Sequence, residues 1–406
     1  MLNNVVSGNA FGTVSFIVGG LAGRVSGMEG FVKIDMTACS ASGSIDIAFT
    51  NDIGDRVVGG LVGGMEYAAA QKPPIGGSIG PVTFGITAFA SGVNIVGCYA
   101  EMDITCNYDP RCGGLIAYGN IKSVLNVSDC YTTGNIVMLT SASASDVGGF
   151  LGWINMDSGS IANCYTTVNI TAIRAGGFAR KLNCKNSLNI TDCYAAGNVF
   201  SGWGGGFCYE AYNVNFYRCY STGIVQGTKV SGFIYQMYND EPIIIEECFT
   251  TGDIRAATDA AGLIYGTDQV LIKNCYSKSD IYFIANSVNI TVHAAGLVYD
   301  MDGILMNCYY SGKITAVLQY HGIKVGALTL FTYADTRIIN CHWLQAEGGL
   351  ATVAVLYDDS LQSDHVAYSD IADMYELADA LNADQDETVW VNIPNGTPQL
   401  KFMSEV

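Results

Sequence analysis

Basic residues are scarce in this chain. Nineteen Lys and Arg stand against 37 Asp and Glu, which gives a formal net charge of -18 at pH 7, and only 14% of the residues are charged. Nucleic-acid binding requires a basic footprint, and anionic membranes repel an acidic surface, so the composition argues against both as partners. An acidic surface rich in uncharged polar groups is typical of an extracellular protein that must stay soluble.

Long apolar runs and metal-binding motifs are also missing. The mean hydropathy is +0.27, yet no uninterrupted apolar stretch is long enough for a transmembrane helix, so we expect no membrane insertion. The four histidines are scattered and no CxxC pair occurs, so we expect neither a metal site nor a cofactor. No signal peptide is visible, because the first basic residue is Arg24, and we interpret the sequence as part of a longer secreted chain.

What the sequence does contain is a repeated phrase built around cysteine. The phrase is an apolar residue, a Cys three positions later, usually a Tyr, a small residue, often a Gly, and then Ile or Val, as in Val127 to Ile136. Apart from the first interval, the copies recur roughly every 26 to 34 residues, within the range of solenoid repeats. Their cysteines are Cys39, Cys98, Cys130, Cys164, Cys193, Cys219, Cys248, Cys275, Cys308 and Cys341.

The residues that follow each of these cysteines alternate in character. The sixth residue after Cys is Ile or Val in all but the last copy, whereas the odd positions accept charge, as at Glu101, Asp253 and Lys278. Alternation with a period of two is typical of a strand with one buried face. The apolar residue three positions before Cys is out of step with this alternation, which predicts a corner or bulge just before Cys.

A second phrase, two small residues followed by a large apolar one, interleaves with the first. It occurs as Gly113-Gly114-Leu115 and Gly148-Gly149-Phe150, and later copies replace the first Gly, as in Ser231-Gly232-Phe233. Glycine allows tight corners and close backbone approach. Helical repeats are the alternative, but the content of Val, Ile, Thr and Tyr and the lack of a 3.6-residue period favour strands. We therefore predict an all-β fold, a parallel β-solenoid of about ten coils in residues 1–345.

Together the two phrases resemble the GLUG repeat of bacterial surface proteins. The resemblance rests on Gly59-Gly60-Leu61-Val62-Gly63 and Asn307-Cys308-Tyr309-Tyr310-Ser311-Gly312, and it covers roughly residues 14 to 345. GLUG repeats occur in secreted and cell-surface bacterial proteins, including adhesin-like ones. The resemblance therefore implies a surface location and an attachment or spacer role, and it brings no catalytic residues.

The repeat stops near the C-terminus, where residues 346–406 are predicted to form a small α/β cap. Trp390 and Leu400 are expected to seal the last coil. The predicted elements are a helix at 370–382 with Ser369 as its N-cap and two short strands at 389–393 and 399–402.

Fourteen cysteines in an extracellular protein raise the question of disulfides. Ten of them occupy one inner position in successive coils, where parallel side chains point poorly for disulfide geometry. We therefore predict a ladder of buried, reduced thiols. The state of the other four, Cys106, Cys112, Cys184 and Cys208, stays open, and the spacing of Cys106 and Cys112 would allow a disulfide that closes a small loop.

Aromatic residues form two rows along the repeat. The first row follows each Cys, as at Tyr131 and Tyr165, and we interpret it as structural stacking, with a sugar-stacking platform as the alternative. The second row follows the Gly-rich phrase in four consecutive copies only, so it breaks the repeat. We predict that it binds a glycan or a host or cell-surface protein, the alternative being large residues that fill a wider corner. The predicted binding residues are Tyr209, Tyr235, Tyr265, Tyr299 and the nearby Trp203.

A residue that recurs in every copy serves stacking rather than catalysis, so we expect no enzyme. The predicted function is a non-catalytic, adhesin-like binding or spacer module, secreted or at the cell surface. One alternative is a glycan-degrading β-helix enzyme such as a phage tail-spike depolymerase, because Asp253 and Asp280 share an outward position in neighbouring coils. The other alternative is a purely structural stalk.

Overall fold

A computed structural model describes most of the chain. Contacts between Cα atoms divide it into two compact units, which are Met1–Ser201 with Cys208–Val214 (unit 1) and Gly202–Phe207 with Asn215–Val406 (unit 2). No helix in the described part of the chain is long and apolar enough to cross a membrane. The described residues are 4–6, 16–20, 22–25, 34–47, 56–65, 92–106, 111–139, 145–284, 290–316, 322–350, 352–357, 363–368, 374, 377–383, 385–394 and 396–404.

The fold is a parallel β-solenoid with almost no helix, which confirms the predicted fold class. It has about eight turns, slightly fewer than the ten or so predicted.

The strands are short or bent, as expected for coils with several corners. The first group is β1 (Asn4–Val6), β2 (Phe16–Gly19), β3 (Ala22–Val25), β4 (Ile34–Thr37), β5 (Ser40–Ile47), β6 (Arg56–Gly59), β7 (Val62–Met65), β8 (Val93–Val96), β9 (Tyr99–Cys106), β10 (Arg111–Gly113), β11 (Ile116–Ser128), β12 (Tyr131–Thr133), β13 (Asn135–Met138), β14 (Asp146–Gly148), β15 (Leu151–Ala162), β16 (Tyr165–Thr166), β17 (Asn169–Gly176), β18 (Ala179–Thr191), β19 (Tyr194–Ala195), β20 (Val199–Gly205) and β21 (Cys208–Tyr217). The second group is β22 (Tyr220–Ser221), β23 (Val225–Ser231), β24 (Ile234–Tyr238), β25 (Ile243–Glu246), β26 (Phe249–Thr250), β27 (Ile254–Ala261), β28 (Ile264–Gly266), β29 (Val270–Lys273), β30 (Tyr276–Ser277), β31 (Ile281–Phe283), β32 (Thr291–Ala295), β33 (Val298–Met301), β34 (Gly303–Met306), β35 (Tyr309–Tyr310), β36 (Ile314–Ala316), β37 (Gly322–Thr332), β38 (Arg337–Leu344), β39 (Val353–Tyr357), β40 (Ser363–Tyr368), α1 (Leu377–Asn382), β41 (Trp390–Val391), β42 (Gln399–Leu400) and a 3-10 turn (Lys401–Ser404).

Equivalent residues of successive coils pair in parallel. In unit 1, Tyr131 pairs with Tyr165 and Ile136 pairs with Ile170. In β9 the burial alternates as predicted, with Met102 buried and Asp103 exposed. The inner face of the sequence repeat is therefore the core of the solenoid.

The corner predicted before each repeat cysteine is present in all ten copies. The residue just before Cys adopts a left-handed backbone conformation with φ between 49° and 61°. Asn, Asp and Gly tolerate this conformation best, and they occupy seven of the ten positions. These ten residues are Ala38, Gly97, Asp129, Asn163, Asp192, Arg218, Glu247, Asn274, Asn307 and Asn340.

The cysteines form the predicted ladder of free thiols inside each unit. The Cys98 thiol accepts a hydrogen bond from the Cys39 N–H at 3.3 Å, and Cys275 does the same for Cys248 at 3.4 Å. Each thiol also donates to the carbonyl two residues earlier, as Cys130 does to Ser128 at 3.0 Å. The thiol thus satisfies polar backbone groups that the corner would otherwise leave unpaired inside the core.

The four remaining cysteines are also buried free thiols. The disulfide that the spacing of Cys106 and Cys112 allowed is therefore not formed, and residues 107–110 between them lie outside the described residues. Burial raises the pKa of Cys184 to about 11 and that of Cys208 to about 12, so both stay neutral near pH 7.

Glycine in the second phrase is required where coils touch. A Cβ atom on Gly149 would lie 2.0 Å from the Gly177 carbonyl oxygen of the next coil and 3.0 Å from Thr166 Oγ1. The small residue two positions after Cys packs beneath this contact, since the Thr132 hydroxyl donates to the Gly149 carbonyl at 2.8 Å. The two sequence phrases therefore contact each other in the fold, because the small residue after Cys hydrogen-bonds to the backbone of the Gly-rich phrase.

The C-terminal segment contains α1 and the antiparallel pair β41 and β42, in which Trp390 faces Leu400. These two strands lie within the predicted ranges 389–393 and 399–402 but are shorter, and Lys401–Ser404 forms a 3-10 turn. Helix α1 begins at Leu377, while the predicted N-cap Ser369 and residues 370–373 lie outside the described residues. Parallel pairing also continues beyond residue 345, because β39 pairs with β37 and β40 pairs with β38.

The predicted role of Trp390 and Leu400 as a seal on the last coil is wrong. Both residues pack with α1 against a row of rings on the side of three successive coils. The rings expose one continuous apolar strip along the coils, and burying that strip is favourable. The row consists of Phe249, Tyr276 and Tyr309.

Substitution of Gly149 tests the contact between coils. We expect Gly149→Ala to lower the free energy of unfolding by about 2 to 3 kcal/mol, because the added Cβ would overlap a backbone carbonyl. Urea unfolding followed by circular dichroism measures this change. Gly396→Ala is the control, since its Cβ would meet its nearest atom at 3.5 Å. Equal losses in both variants would contradict the assignment.

The thiol ladder makes a prediction for pH. Burial raises the pKa of Cys248, Cys275 and Cys308 well above its usual value, so on raising the pH the unfolded chain loses these protons first. The free energy of unfolding should be constant with respect to these groups below about pH 8 and should fall above about pH 9. Urea titrations across this range measure it, and a rise in stability above pH 9 would refute the ladder.

Candidate functional site

The predicted binding tyrosines lie at the start of the strands that directly follow the Gly-rich phrase. Tyr209 is the second residue of β21, and Tyr235, Tyr265 and Tyr299 are the second residues of β24, β28 and β33. All four side chains are half-buried, whereas Trp203 in β20 is 40% exposed. We call the face of the coils beside these turns the turn face.

Three of the predicted tyrosines form one stack in unit 2. The ring centroids of Tyr235 and Tyr265 are 4.7 Å apart, and those of Tyr265 and Tyr299 are 4.4 Å apart, with nearly parallel planes. Phe331 packs on Tyr299 at 5.6 Å. Because the rings cover one another's faces, they offer a ligand their edges and hydroxyl groups.

A buried carboxylate anchors this tyrosine stack. Asp259 is 5% exposed and contacts Lys229 Nζ at 2.8 Å and His293 Nδ1 at 2.9 Å. The Tyr265 hydroxyl donates to Asp259 at 3.3 Å. Burial first, and then the negative charge of Asp259, raise the pKa of Tyr265, so its hydroxyl stays protonated.

Tyr209 belongs to unit 1 and has a different environment. The Arg180 guanidinium lies over the Tyr209 ring at 4.2 Å. Arg180 is 2% exposed and donates from Nε to Asp146 at 2.7 Å and from Nη1 to Glu210 at 3.2 Å. Lys181 also pairs with Glu210. This arrangement is a buried ion-pair network with an aromatic cover.

Cations and rings continue along the turn face of unit 1. Arg111 lies 5.0 Å from the ring centroid of Tyr118 and 4.9 Å from that of Trp153. Lys181 Nζ lies 4.9 Å from the same Trp153 ring. The indole nitrogen of Trp153 donates to Asn155 at 3.1 Å, so the ring orientation is fixed.

Aligning the sequence on cysteine missed the charged residues of the turn face. They share a position two residues before the small pair of the second phrase, and parallel register places them beside one another. In unit 1 this position carries alternating charge in Arg111, Asp146 and Arg174. In unit 2 it carries Lys229, Asp259, His293 and Lys324. Alignment on the second phrase would have revealed the alternation.

The outward carboxylates considered for catalysis have structural partners. Asp280 accepts hydrogen bonds from the Lys313 N–H at 2.7 Å and from the Tyr282 hydroxyl at 3.0 Å. Asp253 pairs with Arg255 at 3.5 Å. Within the described residues, no group of three His, Cys, Asp or Glu side chains is placed to hold a metal ion.

Removing Arg180 tests the ion-pair network. We expect Arg180→Met to lower the free energy of unfolding by about 2 to 4 kcal/mol, because the buried Asp146 and the half-buried Glu210 would each lose a charged hydrogen-bond donor and keep only Arg174 and Lys181 as partners. Arg255→Met is the matched control, since its pair with Asp253 is well exposed and should change stability by less than about 1 kcal/mol. Urea unfolding of both variants measures the difference, and equal effects would argue against burial as the cause.

Comparisons of this chain with models of protein families, with curated proteins and with solved structures find no match.

Proposed function

We propose that this protein is a non-catalytic binding module, adhesin-like and secreted or displayed at a cell surface, whose turn face binds glycan. The proposal rests on the part of the sequence that departs from the repeat. Cysteine, Ile or Val, and Gly recur along the coils, whereas the rings and charges of the turn face differ from copy to copy. Residues that the repeat does not require in every copy are the ones free to serve recognition.

The chemistry of the turn face suits a neutral or weakly charged polymer rich in hydroxyl groups. In unit 2 it offers the edges and hydroxyl groups of three stacked tyrosines, of which the central one, Tyr265, is held by Asp259. Fixed donors and acceptors reduce the entropy that binding costs. A polysaccharide can lie along several coils and contact the same position repeatedly.

The surface location is supported by the GLUG resemblance and by the acidic composition, with a net charge of -18. A host or cell-surface protein is the other partner that the sequence favours. A spacer role requires only that the coils remain paired, so it is compatible with binding.

A glycan-degrading enzyme is the second candidate, favoured by one observation. Ile254 pairs with Ile281, so the preceding Asp253 and Asp280 lie in neighbouring coils. The hydrogen bonds that Asp280 accepts from Lys313 and Tyr282 give it a structural role instead. Catalysis by Asp280 would therefore require its carboxylate to break the hydrogen bonds with Lys313 and Tyr282.

The turn face is tested by removing its hydroxyl groups while keeping its stack. We expect Tyr235→Phe, Tyr265→Phe and Tyr299→Phe combined to weaken retention on a polysaccharide panel by roughly tenfold to a hundredfold, given about 1 kcal/mol for each lost hydrogen bond. Affinity electrophoresis measures retention, and assay of new reducing ends in the same samples detects cleavage. Tyr220→Phe is the control, because Phe249 already occupies the equivalent place in the next coil.

Three outcomes would count against the proposal. Unchanged retention in the triple variant would exclude the turn face of unit 2 as the binding site. New reducing ends from the unmodified protein would favour the enzyme, and their loss in Asp280→Asn would assign the acid. If the protein retains no polysaccharide in the panel, the remaining functions are a structural stalk and the binding of a protein partner.

A further inference from the structure

The aromatic residue after each repeat cysteine forms a stacked row in both units. The unit 1 row has ring centroids 4.8 to 5.1 Å apart and planes within 6° of parallel. The unit 2 row has centroids 4.7 to 5.1 Å apart with similar planes. The unit 1 row is Tyr99, Tyr131, Tyr165 and Tyr194, and the unit 2 row is Tyr220, Phe249, Tyr276 and Tyr309.

The two rows differ in what covers them. In the unit 2 row, Tyr276 is 3% exposed and Tyr309 is fully buried, because the C-terminal segment lies on them. The Trp390 ring is 5.5 Å from Tyr309 and 6.0 Å from Tyr276. All four rings of the unit 1 row are only half-buried. The chain itself thus demonstrates that such a row accepts a polypeptide segment with a large aromatic side chain.

The covering segment of unit 2 is held by donors on the coils. The side-chain amide of Asn274 donates to Gln385 at 2.9 Å, and that of Asn340 donates to the Ala380 carbonyl at 2.9 Å. Both asparagines are corner residues that directly precede a repeat cysteine. The corner residue before Cys130 is instead Asp129, whose carboxylate accepts the side-chain amide of the next corner residue, Asn163, at 3.2 Å and has lone pairs left for further donors. At this corner a covering segment would therefore supply donors, where the unit 2 cover supplies acceptors.

The charges beside the two rows are also reversed. Beside the unit 2 row, Lys278 lies 5.0 Å from the ring of Tyr276, and burial lowers the pKa of this lysine to about 8. The equivalent residue beside the unit 1 row is Glu101, whose carboxylate accepts a hydrogen bond from the Tyr131 hydroxyl at 3.2 Å. The covering segment of unit 2 is acidic, with three acids and one lysine among residues 377–383, 385–394 and 396–404. Because Glu101 is exposed beside the unit 1 row, charge complementarity favours a basic segment there.

We propose that the unit 1 row is a docking surface for a segment of another polypeptide that is basic, rich in hydrogen-bond donors, and anchored by a large aromatic side chain. The aromatic anchor packs on the edges of the rings as Trp390 does in unit 2. Lysine or arginine of the segment pairs with Glu101 and with the corner carboxylate of Asp129. This surface is separate from the turn face and does not depend on glycan binding.

Two synthetic peptides test the proposal against the full chain. Both have the sequence of residues 374–404, and one also carries Asp379→Lys, Asp386→Lys and Glu387→Lys. We expect the lysine-bearing peptide to bind at least tenfold more tightly than the natural one, measured by fluorescence anisotropy of labelled peptide. Trp390→Ser in the lysine-bearing peptide should remove this binding, because the aromatic anchor is lost.

Variants of the protein locate the site. Glu101→Lys should weaken binding of the lysine-bearing peptide at least tenfold, and Tyr131→Ser should do the same. Asp253→Lys makes the same change to net charge in unit 2 and should leave binding unchanged. The proposal is overturned if both peptides bind equally, if neither binds, if Glu101→Lys has no effect, or if Asp253→Lys weakens binding as much. Glu101 is exposed, so its variant decides the question even if Tyr131→Ser reduces stability.

Discussion

In-register parallel pairing of successive coils is the constraint on which the rest of this structure depends. Each residue lies about 4.8 Å from its equivalent in the next coil, so every position must be compatible with a copy of itself. Gly149 meets the carbonyl of Gly177, and Tyr131 stacks on Tyr165. A position that accepts its own copy can be repeated along the solenoid, and one that does not must alternate with a complement, as Asp146 alternates with Arg174.

The same constraint explains why cysteine marks the repeat. The left-handed corner before each Cys turns backbone groups away from the regular pairing, and buried backbone groups need partners. A thiol accepts an N–H from the preceding coil and donates to a carbonyl within its own coil, as Cys98 does with Cys39 and Val96. It fills little space and is apolar enough for the core. An aliphatic residue would fill the place and leave both backbone groups unpaired.

Local patterns allowed much of the fold to be predicted from the sequence, and contacts between distant residues account for what was missed. Alternation after Cys predicted the buried face because strand periodicity is a local property. In six of the ten copies the corner could have been placed on the Asn or Asp before Cys, since these residues favour the left-handed conformation. The network around Arg180 required the register between coils, which a single alignment on Cys obscured. The side-on packing of Trp390 depends on rings more than eighty residues earlier in the chain, and no local pattern encodes that contact.

Stacking also limits how such a protein recognises a ligand. Rings that cover one another's faces, like Tyr235 and Tyr265, leave edges and hydroxyl groups for contact. A row of identical residues presents the same chemistry at each coil, so discrimination between ligands must come from the residues beside the row. At the row after cysteine those neighbours are Glu101 in one unit and Lys278 in the other. One scaffold can therefore hold its own C-terminal segment on the row of one unit and present a row of different charge in the other, because a few outward residues differ while the stacked core stays the same.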